Sequence, residues 1–221
     1  MKKRVWMGIG GCGLWLGCLL VTTSHYSDAP QWLLVGPGWL LHSTGLILLA
    51  LVLADPGLEP ASLDREEWRD VLWGMSPLAL LCSVAMLEIL PDPMDMEVVP
   101  SLWHALLKSV LIVGSWWVAL GLIVLGPVGL LIAARYGKGP LESIRQSYGV
   151  VLEGYRGVVA AQFVGGAIRG VGMVLVWTLL DESSWLGVMG MSLTWALGHG
   201  VTVYILSVVE RLARTAKLKQ Q

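Results

Sequence analysis

Six apolar segments, each long enough to cross a lipid bilayer, constrain this chain more than any other feature of its sequence. A helix needs about 20 mainly apolar residues to cross the hydrocarbon core. Segments that meet this requirement lie at about residues 5–23, 31–54, 71–90, 103–134, 157–180 and 185–208. With 55% hydrophobic and 14% charged residues, the composition is unlike that of a soluble domain. We predict an all-α, polytopic membrane bundle of about six transmembrane helices, forming a single integral membrane domain over residues 1–221.

The positions of the basic residues predict how the bundle is oriented. Thirteen of the fifteen Lys and Arg residues lie before the first apolar segment or after the second, fourth and sixth. The alternate connections, TTSHYSDAP, PDPMDMEVVPS and DESS, contain no cation. Because cytoplasmic loops carry the excess of Lys and Arg, we expect both termini in the cytoplasm, in a bacterial inner membrane. The net charge of −1 gives no indication of nucleic-acid binding.

The basic start of the chain also fits a secretory signal peptide. No small-x-small cleavage site follows the apolar run VWMGIGGCGLWLGCLLV, so we interpret it as a retained first span.

The segment at 103–134 is too long for one straight span, since 32 helical residues measure about 48 Å. The sequence GPVG at 126–129 predicts a kink or an end of this helix. Beyond it, Pro140 suits a first helical position, and apolar residues then recur at helical spacing. We predict an amphipathic helix over about 140–156 along the inner membrane surface, before the fifth span. A cytoplasmic extension of the fifth helix, packed on its neighbours, is the alternative.

Residues 139–215 combine the amphipathic PLESIRQSYGVVLEGYRG with a glycine-rich span, a short turn and a last span that ends in a basic tail. This pattern resembles uncharacterised bacterial membrane families related to the membrane domain of glycerophosphoryl diester phosphodiesterases. The resemblance implies a helical membrane module. In fused members of those families the phosphodiesterase chemistry belongs to a separate soluble domain, so the resemblance implies no catalytic residue in this chain.

Small residues in register predict where helices pack closely, since helix association in lipid depends on backbone approach. The first span has a GxxxG pair, the fifth span has another, and the sixth has a ladder of three small residues: Gly13 and Gly17, Gly166 and Gly170, and Gly190, Thr194 and Gly198. We expect the fifth and sixth spans to form a tight pair.

Three polar side chains, His42, Arg169 and His199, lie near the bilayer centre, roughly 16 to 18 Å from the inner boundary at helical rise. A charge at that depth is costly and normally faces the bundle interior or a wet cavity. No acid lies at the same depth in any span. The expected partners of Arg169 are backbone carbonyls, a ligand, lipid headgroup or cofactor carboxylate, another subunit, or one of five side chains: Gln162, Ser43, Thr44, Ser192 and Thr194.

The two histidines could bind a cofactor. Imidazoles on different helices could ligate a b-type haem, and one imidazole could hold the magnesium of a chlorin, so a tetrapyrrole through His42 or His199 is one interpretation. A hydrogen-bonded interior histidine is the other. No spacing typical of a metal site is present, and Cys12, Cys18 and Cys82 are interpreted as small core residues.

Charged groups outside the spans have ordinary interpretations. Glu88 and Lys108 lie near the outer ends of the third and fourth spans and are a candidate ion pair. The run REEWRD at 65–70 is interpreted as a solvated turn in an inner connection. No paired glutamates precede the histidine of LGHG on a span and no GxSG motif occurs, so no catalytic residue is predicted.

Two classes of function follow, and the sequence favours the first. The first is a noncatalytic accessory or scaffolding subunit, surrounded by the lipid bilayer and packed against other membrane protein subunits. The second is a small permease component, or a protein that handles a lipid or small molecule, in which Arg169, His42 and His199 line a mid-membrane polar site.

Overall fold

The computed structural model describes residues 2–26, 30–54, 60, 63–87, 121–180 and 184–218. Within these ranges the chain forms seven helices and no strand: α1 (Lys2–Tyr26), α2 (Gln31–Ala54), α3 (Arg65–Leu87), α4 (Gly121–Tyr136), α5 (Pro140–Glu153), α6 (Tyr155–Leu179) and α7 (Trp185–Leu218).

Five of the described helices, α1, α2, α3, α6 and α7, are long and apolar enough to cross a membrane. The helical membrane bundle predicted from the sequence is thereby confirmed. A sixth crossing is possible where α4 and α5 meet at a bend of 115°. Residues 103–120 of the predicted fourth span lie outside the described residues.

The centre of the bundle is α2, in which every residue from Gly45 to Ala54 is buried. It packs against α1, α3 and α7. The contact with α1 is close because small residues face it: a Cβ added to Gly13 would lie 3.1 Å from the Cα of Gly45, and one added to Gly17 would lie 2.6 Å from the Cβ of His42. Gly13 and Gly17 therefore let the α1 backbone rest directly on α2.

The α6–α7 contact is also formed by small residues. The ladder of Gly190, Thr194 and Gly198 on α7 lies against α6. A Cβ added to Gly198 would lie 2.7 Å from the carbonyl oxygen of Gly165, and Thr194 contacts Gly172. The two helices therefore pair tightly, through Gly165 and Gly172 on the α6 side.

The glycines predicted for α6 lie outside this contact. A Cβ added to Gly170 would meet no atom within 4 Å, and one added to Gly166 would meet only the guanidinium of Arg169 on the same helix. The predicted pair Gly166 and Gly170 therefore lies outside the α6–α7 contact, because that contact is formed by the positions that face α7.

The proline of GPVG does not end α4, which runs through it to Tyr136. The chain turns at Gly137, whose φ of 60° is readily adopted only without a Cβ. Then α5 begins at Pro140. Its side towards the bundle carries the small, buried Ser143 and Ser147, while three large apolar side chains are exposed: Leu141, Tyr148 and Leu152.

The run REEWRD forms the first turns of α3, so its interpretation as a turn was wrong. Asp64 caps this helix, since its Oδ1 accepts hydrogen bonds of 2.8 Å from the backbone N–H groups of Glu66 and Glu67. The Glu67 carboxylate accepts in return from the Asp64 backbone N–H at 2.9 Å. This reciprocal capping box satisfies N–H groups that a helix start leaves unpaired.

Two arginines hold the carboxyl end of α2. Arg135 of α4 donates to the carbonyl of Ala54, and Arg211 of α7 donates to that of Leu53 at 3.2 Å. Arg135 also forms an ion pair with the buried Glu210 of α7, in which the Nη1 of Arg135 lies 3.1 Å from the Oε2 of Glu210. Cations suit a helix carboxyl end, where carbonyls carry partial negative charge. These contacts join α2, α4 and α7 at one end of the bundle.

Candidate functional site

His42 of α2 and His199 of α7 contact each other in the interior of the bundle. The Nε2 of His42 lies 3.0 Å from the Nδ1 of His199, and neither side chain is exposed to any extent. Their rings are nearly perpendicular, at 85°. The structure therefore brings together two of the three mid-membrane residues singled out from the sequence.

A hydrogen-bond chain from α3 orients His42. The hydroxyl of Ser83 donates to the Ala79 carbonyl at 2.8 Å, so it accepts from the Nδ1–H of His42 at 2.9 Å. The Nε2 of His42 then accepts from the Nδ1–H of His199. The Nε2 of His199 is buried and has no hydrogen-bond partner among the described residues. One imidazole nitrogen with a lone pair is therefore left open inside the bundle.

Cys18 of α1 completes the cluster. One potential ligand atom from each of Cys18, His42 and His199 lies within 4.8 Å of the others, and all three residues are buried. The close approach of α1 at Gly17 explains the placement, because it brings the next residue alongside His42. We call these three residues the Cys–His–His cluster.

Sequence analysis missed Cys18 as a site residue. The signal was its depth: Cys18 lies 13 residues into the predicted first span, or about 20 Å at helical rise, close to the depth of both histidines.

Arg169 of α6 is half-buried and lies beside the cluster. Its guanidinium carbon is 5.9 Å from the centroid of the Trp195 ring, and that ring stands edge-on to His199 at 5.8 Å. A cation over an indole face is attracted by the ring quadrupole, most strongly where water is excluded. The absent side chain of Gly198 makes room for the stem of Arg169. The guanidinium charge acts electrostatically on Cys18 and His199.

No hydrogen bond joins Arg169 to any of the five side chains proposed as its partners within the described part of the chain, and each of the five donates to a backbone carbonyl instead. The Gln162 amide donates to the Ile123 carbonyl of α4 at 3.0 Å. The four hydroxyls, of Ser43, Thr44, Ser192 and Thr194, each donate to a carbonyl of their own helix. The prediction missed the aromatic contact that holds the guanidinium.

A haem between the two histidines does not fit this geometry. Two axial imidazole nitrogens on one iron lie about 4 Å apart with the porphyrin between the rings, whereas these rings are in direct contact. The other candidate pair, Glu88 and Lys108, lies outside the described residues.

A cavity of about 170 Å³ reaches the cluster at Cys18. Tyr26 and Leu87, at the ends of α1 and α3, line its far side. Met173, Met191 and Trp195 line it as well. The cavity therefore leads from the ends of two helices to the thiol of Cys18.

The site thus combines two neutral imidazoles, one thiol and a nearby guanidinium inside an apolar bundle, a set that can bind a small polar ligand or an ion. No family model, curated protein or solved structure matches the chain, so the resemblance of residues 139–215 stays a prediction.

Proposed function

We propose that this chain is a multi-pass protein of the bacterial cytoplasmic membrane that holds a small ligand at the Cys–His–His cluster, as a small permease component or ligand-handling protein. The proposal assigns it binding and transfer without a catalytic step.

In the proposed topology the chain crosses the membrane six times, with α4 in the fourth crossing and both termini in the cytoplasm. The basic connections after the second, fourth and sixth apolar segments support this orientation. The exposed Leu141, Tyr148 and Leu152 support a location of α5 along the inner membrane surface.

The contact between His42 and His199, with Cys18 beside it, is the observation that carries the proposal. Polar groups in the membrane interior are costly and are typical of ligand and ion pathways. Here three helices, α1, α2 and α7, each contribute one such side chain, and α3 contributes Ser83 to orient His42. The cavity at Cys18 supplies a route to the cluster.

An accessory subunit of a larger membrane complex is the second candidate. It is favoured by α6, whose Phe163 and Leu179 are each 75% exposed. Lipid tails can cover such a face as well as a partner helix can. We place this candidate second because the Arg169 guanidinium already has the Trp195 ring as a contact within the chain.

Purification in mild detergent, followed by light scattering and native mass spectrometry, distinguishes the two candidates. The proposed function predicts a particle free of other proteins that retains a small bound mass. His199→Gln should lose that mass, and Thr44→Val, which alters an exposed hydroxyl of α2, should keep it. Co-isolation with another protein in fixed ratio, with no small bound mass, would support the accessory subunit instead.

A further inference from the structure

We propose that the ligand of the Cys–His–His cluster is a monovalent copper ion, bound by the Sγ of Cys18, the Nε2 of His42 and the Nδ1 of His199. This inference rests on the proposed function, since it names the ligand of the same site. The three ligand atoms already lie within reach of a single ion. A thiolate with imidazoles is a soft ligand set, which suits copper in its monovalent state.

The distances require little movement. A metal–imidazole bond is about 2.0 to 2.1 Å, so two nitrogens on one ion lie about 3.4 to 3.6 Å apart at angles near 110° to 120°. The two ring nitrogens are 3.0 Å apart in the hydrogen-bonded pair. An opening of about 0.5 Å between the rings therefore makes room for an ion, and the sulfur of Cys18, which lies within 4.8 Å of the ring nitrogens, closes on it by up to about 1 Å.

The lone pair of His42 is already in place, whereas His199 must change tautomer. Because the Nδ1–H of His42 is held by Ser83, its Nε2 presents a lone pair towards His199. A hydrogen bond to the second ring nitrogen is the usual way in which proteins fix a metal-binding imidazole. To bind the ion through Nδ1, His199 would carry its proton on Nε2 instead, and the described residues provide no acceptor for that N–H.

Charge balance selects a monovalent ion. Binding converts the Cys18 thiol to a thiolate and releases one proton through the cavity at Cys18. A monovalent ion replaces that proton one for one, so the net charge of the site does not change. A divalent ion would add a positive charge near Arg169, whose guanidinium lies over the Trp195 ring that contacts His199. No reductant is required, because the ion arrives and remains as Cu(I).

The cavity that leads to Cys18 is also lined by soft sulfur ligands. Met173 and Met191 line it together with Cys18, and the Tyr26 hydroxyl lies 4.0 Å from the Met191 sulfur. Thioethers are soft, neutral ligands that bind Cu(I) well and hard divalent cations poorly. The route therefore favours the ion that the cluster is suited to hold.

The test uses the full chain in lipid nanodiscs under anaerobic conditions. Cu(I) is titrated against a chromophoric Cu(I) chelator, and the loaded wild-type protein is examined by X-ray absorption at the copper edge. We expect one Cu(I) per chain, with one sulfur and two imidazole nitrogens around it. Cys18→Ser should weaken binding by at least about 100-fold, and Ser83→Ala by about 10- to 100-fold. The matched control Cys12→Ser, at an exposed cysteine of the same helix, should bind as the wild type does.

The inference would be overturned by a wild-type chain that binds no stoichiometric Cu(I), or by a copper spectrum without sulfur. Equal binding by Cys18→Ser and wild type would also overturn it. The wild-type spectrum needs no variant, so it decides the matter even if Cys18→Ser fails to fold. If the wild type holds a small bound mass that is not copper, and His199→Gln loses it, the copper inference is wrong and the proposed function is retained. A fixed protein partner with no bound mass would remove both.

Discussion

The side-chain amide of Gln162 donates a hydrogen bond of 3.0 Å to the backbone carbonyl of Ile123. Ile123 lies four residues before Pro127, which has no N–H to donate the helical bond that this carbonyl would otherwise accept. In hydrocarbon an unpaired carbonyl is costly, and side chains of neighbouring helices can pair it instead. Gln162 of α6 therefore completes the hydrogen bonding of α4 and joins the two helices.

Replacement of this amide should destabilise the protein only while the proline is present. We expect Gln162→Leu to lower the free energy of unfolding by about 1 to 2 kcal/mol, because it leaves the Ile123 carbonyl unpaired. In a Pro127→Ala background the backbone N–H at position 127 supplies the bond, so the same change should cost much less. Thermal or denaturant unfolding in detergent measures both costs. Equal costs in the two backgrounds would contradict this account.

Gly17→Ala should disturb the histidine pair from a neighbouring helix. Its new Cβ would lie 2.6 Å from both the Cβ and the backbone nitrogen of His42, so α1 and α2 must move apart. Overpacking of this kind typically costs about 1 to 3 kcal/mol. Gly11→Ala is the matched control, because a Cβ there would meet no atom within 4 Å. Unfolding of both variants tests the contact, and a neutral Gly17→Ala would show that the helices do not approach so closely.

Two adjacent glycines of α6 should respond oppositely. Gly165→Ala would force a Cβ against the Thr202 hydroxyl and within 2.8 Å of the Gly198 carbonyl oxygen, and we expect a loss of about 1 to 3 kcal/mol. Gly166→Ala meets no atom of α7 and should be neutral or slightly stabilising, since Ala favours helix more than Gly. If Gly166→Ala destabilised the protein more than Gly165→Ala, the GxxxG pair expected from the sequence would be the packing surface after all.

The ion pair at the carboxyl end of α2 should matter far more than the exposed pair on α3. The Glu210 side chain is 1% exposed and that of Arg135 is 20% exposed, so Arg135→Leu removes the counter-charge of a buried carboxylate. Such a change costs about 3 to 5 kcal/mol. The control, Arg69→Ala, breaks a pair whose side chains are 69% and 75% exposed and should cost less than about 1 kcal/mol. The double variant Arg135→Leu with Glu210→Leu should recover much of the loss, and a purely additive loss would argue against the pair.

Arg169→Met should relax the preference for monovalent ions. At an effective dielectric constant of 20, two unit charges near each other repel by roughly a few kcal/mol. Without the guanidinium, we expect Zn(II) to gain at least about tenfold in affinity relative to Cu(I). Competition titrations of wild type and variant measure this ratio. An unchanged ratio would mean that Arg169 does not set the charge of the cluster.

That the chain forms several apolar helices long enough to span a membrane could be predicted, because bilayer thickness sets a minimum length that the sequence displays directly. The depths of His42 and His199 followed from counting along those spans. Their contact did not, since depth says nothing about which faces of α2 and α7 meet. Cys18 was interpreted as a small core residue, and its place beside the histidines depends on the approach of α1 to α2 at Gly17.

Which face of α6 packs against α7 could not be predicted from the sequence, for a similar reason. This helix has several glycines, so more than one pair has the spacing of a packing motif. Gly165 faces α7 because Gly198 and Thr202 lie opposite it, which is a property of the pair of helices. The capping box at Asp64 was different: its D-x-x-E pattern is visible in the sequence and could have extended the third helix to Arg65.

Arg135 and Arg211 tie the carboxyl end of α2 to α4 and α7. A conformational change that admits a ligand must then pivot near these arginines, because displacement there would sacrifice charged hydrogen bonds in an apolar medium. The helices can move further at the opposite end, where Tyr26 and Leu87 line the cavity. Ligand exchange should therefore spread the helices from that end, like the free ends of a bundle clamped at its base.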